Sequence, residues 1–125
     1  MLSFQKKFSN IFYVGKLTQE QLPVYYSAAD IVIVPSTHEE GYGRVILESL
    51  ACGTPVIGSD RGAIPEAMNE TVGKLIDITP ENIKESVEYF YENTDKLKSL
   101  SNNTREYAEK RYSERNAIEI IKSYE

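Results

Sequence analysis

Four short runs rich in β-branched and aromatic residues punctuate the chain: Asn10-Ile11-Phe12-Tyr13-Val14, Asp30-Ile31-Val32-Ile33-Val34, Pro55-Val56-Ile57-Gly58 and Gly73-Lys74-Leu75-Ile76. After its leading Asp30, the second run is apolar throughout, as expected of a strand covered on both faces of a parallel sheet. Helical spacing fills the intervals. Thr18-Gln19-Glu20-Gln21 has the form of a capping box, in which the hydroxyl serves one open amide and Gln21 reaches back to another. The helix it opens is predicted to bury Leu22, Tyr25, Tyr26 and Ala29, with Pro23 tolerated near the first turn. A second helix runs from about Arg44 to Ala51, with Val45, Leu47, Leu50 and Ala51 apolar and Gly53 and Pro55 as stop signals. Ile64-Pro65-Glu66-Ala67-Met68 suggests one short helix.

The rest of the chain reads as helical. Thr79 caps a helix with Pro80 at its first position. Ile83, Val87, Phe90 and Tyr91 form its apolar stripe; Leu97, Leu100, Tyr107 and Ala108 form the next one. Ser113 opens a last helix carrying Ile118, Ile121 and Tyr124. Strands alternating with helices predict an α/β fold with a mostly parallel sheet of about four strands. No repeat, low-complexity segment or Gly/Ser-rich linker divides the 125 residues, so one domain is expected.

Charge and composition narrow the function classes. A formal net charge of −5 argues against nucleic acid or an acidic membrane surface as a partner for the whole domain. Backbone amides could still hold a phosphate locally. No apolar stretch approaches the ~20 residues that span a bilayer. The opening residues Met1 to Lys7 show no apolar region of the kind a secretory signal needs, so a cytoplasmic location is the expectation. Cys52 is the only cysteine and His38 the only histidine, which excludes a disulfide framework and a Cys/His zinc site. Cys52 falls on an apolar helical stretch and reads as a small core residue.

The chemistry concentrates in the stretch from Pro35 to Glu48, which follows the buried strand and leads into a helix. In open α/β sheets ligands bind there, beyond the carboxyl ends of the strands. Gly41 and Gly43 allow the backbone to approach a ligand closely, and the helix start aims unsatisfied amides and a positive dipole end at the same point. A diphosphate would be stabilised at such a place. Glu48 lies roughly 7 Å along the axis from the helix start, a workable span from phosphate to ribose. Glu40, on the loop side, could accept hydroxyls of a sugar attached to that phosphate.

Pro35-Ser36, then Glu40-Gly41-Tyr42-Gly43, then Leu47-Glu48-Ser49-Leu50-Ala51-Cys52-Gly53-Thr54-Pro55-Val56-Ile57 resembles the signature of family 4 retaining glycosyltransferases of GT-B fold, in the C-terminal, donor-binding domain. Glu40 and Glu48 reproduce the family's paired-Glu spacing. Ser59, Gly62, Pro65-Glu66, Gly73 and Leu75 continue the resemblance, as does the terminal stretch from Tyr112 to Tyr124. It implies a Rossmann-like three-layer α/β/α domain that binds a nucleotide-sugar. Glu40, the catalytic candidate, would contact the donor sugar. Gly41, Tyr42 and Gly43, with the amides of Arg44 and Val45, would hold sugar and diphosphate, and Glu48 the ribose. Gly15, Lys16 and Leu17 are similar to the segment bordering the base. The reaction implied is hexosyl transfer from a nucleoside diphosphate sugar with retention of configuration, by same-face attack assisted by the leaving phosphate. No metal or other cofactor is implied.

The resemblance also sets departures. The family's donor half opens with two earlier strands, carrying an Arg and a Lys that grip the diphosphate, and neither strand is present. The N-terminal acceptor-binding domain, which supplies an active-site His, is absent too, so the isolated chain is expected to be inactive. Ala63 stands where the family has a glycine, and Glu114 where it has a Trp. Without the two strands the sheet must re-pair, be completed by another copy, or leave an open edge, so self-association is an expectation. Other readings stand beside this one. His38 and Glu39 read as loop polar residues and Lys16 as an exposed lysine, while Arg61 could reach the diphosphate. At the level of the whole chain, the alternatives are a self-associating α/β module that binds nothing, and a nucleotide-binding unit without transferase activity.

Overall fold

A computed structural model describes residues 9–35, 43–60 and 64–111. Its elements are α1 (Leu22–Ala28), β1 (Val32–Val34), α2 (Gly43–Ala51), β2 (Val56–Ser59), α3 (Ile64–Ala67), β3 (Gly73–Ile76), α4 (Pro80–Glu92) and α5 (Thr94–Arg111). The strands form one parallel sheet in the order β1-β2-β3. Val32 pairs with Val56 and Val34 with Gly58; Val56 in turn pairs with Gly73 and Ser59 with Ile76.

Alternation along the strands builds two cores, one on each face. Val32, Val34, Val56 and Leu75 face a cluster with Ile46 and Leu50 of α2, Ala67 of α3, and Tyr107 and Ala108 of α5. Ile31, Ile33, Ile57 and Ile76 face the other cluster, with Ile83 and Phe90 of α4 and Leu97 and Leu100 of α5. Helices therefore cover both faces, which is the expected three-layer α/β/α arrangement.

The caps follow the sequence signals. The Thr18 amide donates to Gln21 Oε1 at 3.0 Å and the Gln21 amide to Thr18 Oγ1 at 3.3 Å, both arms of the capping box. Thr79 caps α4, accepting from the Asn82 amide at 3.0 Å. Gly53, at φ 90°, stops α2: its amide bonds to the Leu50 carbonyl and that of Thr54 to the Ser49 carbonyl, a Schellman turn. Gly73 answers a different demand, since a Cβ there would collide with the Val56 carbonyl oxygen across the ladder.

Three expectations are corrected. The Asn10–Val14 run forms no strand, and the described sheet has three strands rather than four. A strand is completed by a hydrogen-bonded neighbour, and among the described residues β1 pairs only with β2. Phe12 and Tyr13 are accordingly 78% and 65% exposed. On α1, Leu22, Tyr26 and Ala29 are half-buried but Tyr25 turns outward. On α4 the buried positions are Ser86 and Phe90, whereas Val87 and Tyr91 are exposed and line a cleft with Ile31. Cys52 is half-buried and unbridged. The helix expected from Ser113 lies outside the described residues.

Candidate functional site at the carboxyl edge of the sheet

α2 connects two parallel strands, so it runs against them and its first residue, Gly43, lies at their carboxyl edge. Gly43, Arg44 and Val45 make up its opening, where backbone amides have no partner within the helix. Arg44 is exposed, and the Val45 side chain packs against the core, so Val45 offers a ligand its amide rather than its side chain. A Cβ built on Gly43 would meet no atom of the described residues within 4 Å, and its φ is not left-handed. Nothing among the described residues therefore demands glycine at this position.

Glu48 lies further along α2 and is half-buried. The Tyr26 hydroxyl, from α1, donates to its carboxylate Oε2 at 3.1 Å. Tyr26 was expected only as a packing residue; no local spacing signals a contact that spans 22 positions of sequence. Behind the pair, the Thr54 hydroxyl donates to the Tyr26 carbonyl and the Ser49 hydroxyl to the Thr54 carbonyl at 2.9 Å. Ser49 and Thr54 are almost completely buried. Gly15 takes φ 68° and is exposed with Lys16, while Leu17 is half-buried. Glu40, Gly41 and Tyr42 lie outside the described residues, as do His38, Glu39, Arg61 and Ala63. Among the described residues no three His, Cys, Asp or Glu side chains group as a metal site would require. No helix among them is long and apolar enough to cross a membrane.

A cleft of about 970 Å³ opens elsewhere, lined by Ile31, Thr54, Val87, Phe90, Tyr91 and Leu97 among others. It lies at the amino ends of β1 and β2, the edge opposite Gly43. Its size does not make it the better candidate. Its lining mixes these apolar side chains with Ser27, Asp30, Lys98 and Ser101, and it opens at the end of the strands opposite to the one where open α/β sheets bind their ligands.

Comparison with known proteins identifies the family and the fold. The family model for glycosyl transferases group 1 matches residues 5–107. A D-inositol 3-phosphate glycosyltransferase of Thermobifida fusca is 48% identical over 58 residues, 46% of this chain and 13% of that protein. The corresponding protein of Thermobispora bispora is 40% identical over 85 residues, 66% of this chain and 20% of that protein. Among solved structures, sucrose-phosphate synthase from Thermosynechococcus elongatus superposes with a TM-score of 0.79 at 29% identity, covering 97% of this chain and 32% of that one. Anabaena HepE in complex with UDP superposes with a TM-score of 0.71 at 26% identity, covering 84% of this chain and 30% of that one. The chain thus spans a third or less of each of these proteins. A match over most of its length, on a parallel α/β sheet, places the chain in the glycosyl transferases of group 1, with a GT-B-type fold.

Proposed function

We propose that this chain binds the nucleoside diphosphate sugar donor of a retaining glycosyl transfer. The observation that carries the reading is the position of Glu48: on α2, back from the helix start at the carboxyl edge, with its carboxylate held by Tyr26. The amides opening α2 would receive the diphosphate and Glu48 the ribose diol. Glu40, Gly41 and Tyr42 would contact the sugar, with Glu40 nearest the reacting carbon, and Gly15, Lys16 and Leu17 would border the base. UDP bound in the HepE complex supports a nucleotide ligand for this fold. In this reading transfer takes place in the cytoplasm, needs no metal, and requires an acceptor-binding N-terminal domain as partner.

The test is calorimetric titration of the purified chain with UDP, GDP and ADP. Saturable binding of at least one, lost in Glu48→Ala, is expected. Absence of binding at millimolar ligand, weaker than about −4 kcal/mol, would leave the architecture without the activity. The exposed run from Ile11 to Val14 favours a second reading, in which the chain also associates with itself. Light scattering on the same sample, giving the monomer mass alone, would remove it.

A further inference from the structure

We infer that Tyr26 is a positioning residue, which presets the Glu48 carboxylate for the ribose hydroxyls; the inference rests on the donor-site reading above. A glutamate on a helix has three side-chain torsions, and fixing them at the moment of binding would weaken affinity. Here the fixing is done beforehand. The Tyr26 hydroxyl donates to Oε2 of Glu48 at 3.1 Å in partly buried surroundings.

Tyr26 is itself fixed from behind. Its carbonyl accepts from the Thr54 hydroxyl, and the Thr54 carbonyl accepts from the hydroxyl of Ser49, the residue that follows Glu48. The contacts form a closed circuit from α2 through the turn after it to α1 and back to Glu48. Ser49 is 0% and Thr54 2% exposed, so the circuit is anchored in the interior and only its last link reaches toward the ligand side. A tyrosine needed only for packing would be served as well by phenylalanine. The hydroxyl adds a hydrogen bond to the carboxylate, and the circuit orients that carboxylate.

Tyr26→Phe keeps the ring and deletes only the donor. Binding of UDP, GDP and ADP is compared with binding of the 2′,3′-dideoxy form of each, which offers Glu48 no hydroxyl. Losing a hydrogen bond to a charged group predicts a drop of about tenfold in the preference for the ribose form. Affinity for the dideoxy form should not change. In a Glu48→Ala background Tyr26→Phe should have no further effect, and Tyr25→Phe, on the exposed side of α1, should leave the preference intact. Equal weakening of ribose and dideoxy forms would mean that Tyr26 acts on the fold alone and would overturn the inference. Loss of the preference in Glu48→Ala but not in Tyr26→Phe would overturn the inference and spare the donor site. If wild type bound none of the three, or if Glu48→Ala kept the preference, the donor-site reading would fall and this inference with it.

Discussion

Alanine at three glycines should move stability and binding in different directions, and the structure gives the sign of each. At Gly43 the new methyl meets no described atom within 4 Å, and the backbone is already helical. Removing glycine's freedom in the unfolded chain should stabilise by about 0.5 kcal/mol. With an unfolding entropy of about 2.1 cal/mol/K per residue, that raises Tm by about 2 °C for a chain of this length. At Gly53, φ 90° places the methyl in a conformation costing about 1–2 kcal/mol, which lowers Tm by about 4–8 °C. At Gly73 the methyl strikes the Val56 carbonyl, and overpacking of about 1–3 kcal/mol lowers Tm by about 4–12 °C. Binding orders them differently. Only Gly43 faces the proposed diphosphate, where a misplaced methyl of about 1–3 kcal/mol corresponds to about 5- to 150-fold weaker affinity. Differential scanning calorimetry and nucleotide titration of the same three variants read both scales. A Gly43→Ala protein that is less stable would show that the position is packed after all. One that is more stable yet binds as wild type would remove Gly43 from the site.

Other perturbations test the scaffold. Leu50→Ala, at a side chain with no exposed surface, should destabilise by about 2–5 kcal/mol in urea titration, and a loss below about 1 kcal/mol would contradict the core assignment. Thr79→Ala removes the oxygen that accepts the Asn82 amide, and should cost about 1 kcal/mol by thermal circular dichroism, with Thr79→Ser restoring most of it. The hydrogen bond between Lys110 and Glu106 at 2.7 Å holds the Glu106 carboxyl below its ordinary pKa and the Lys110 ammonium above its own. What the pair adds is present at neutral pH. It is lost as pH falls through the lowered Glu106 value, or rises through the raised Lys110 value. Both groups are exposed, so Glu106→Gln should leave the urea midpoint at pH 7 unchanged, and a clear shift would refute that.

The elements around the site were legible in the sequence because each is decided locally. The apolar run at β1, the Thr18 and Thr79 caps and the Gly53 stop all took the predicted form. What failed depends on distant neighbours. Ile11 to Val14 have strand composition, yet composition supplies no pairing partner. Val87 and Tyr91 share a helical stripe with Phe90, but periodicity does not say which part of the stripe finds a packing neighbour, and only Phe90 is buried. The motif singles out Glu48 but not the contact of its carboxylate with Tyr26, because the two meet only when α1 packs on α2.

Amide chemical-shift mapping of the labelled chain during titration with UDP, GDP and ADP tests the location of the donor site most directly. The account predicts shifts concentrated at Gly43, Arg44, Val45 and Glu48 and along Gly15 to Leu17, with the amino-edge residues Ile31, Val87 and Tyr91 unmoved. Shifts gathered instead around Ile31, Val87 and Tyr91 would place the ligand in the opposite cleft and contradict it.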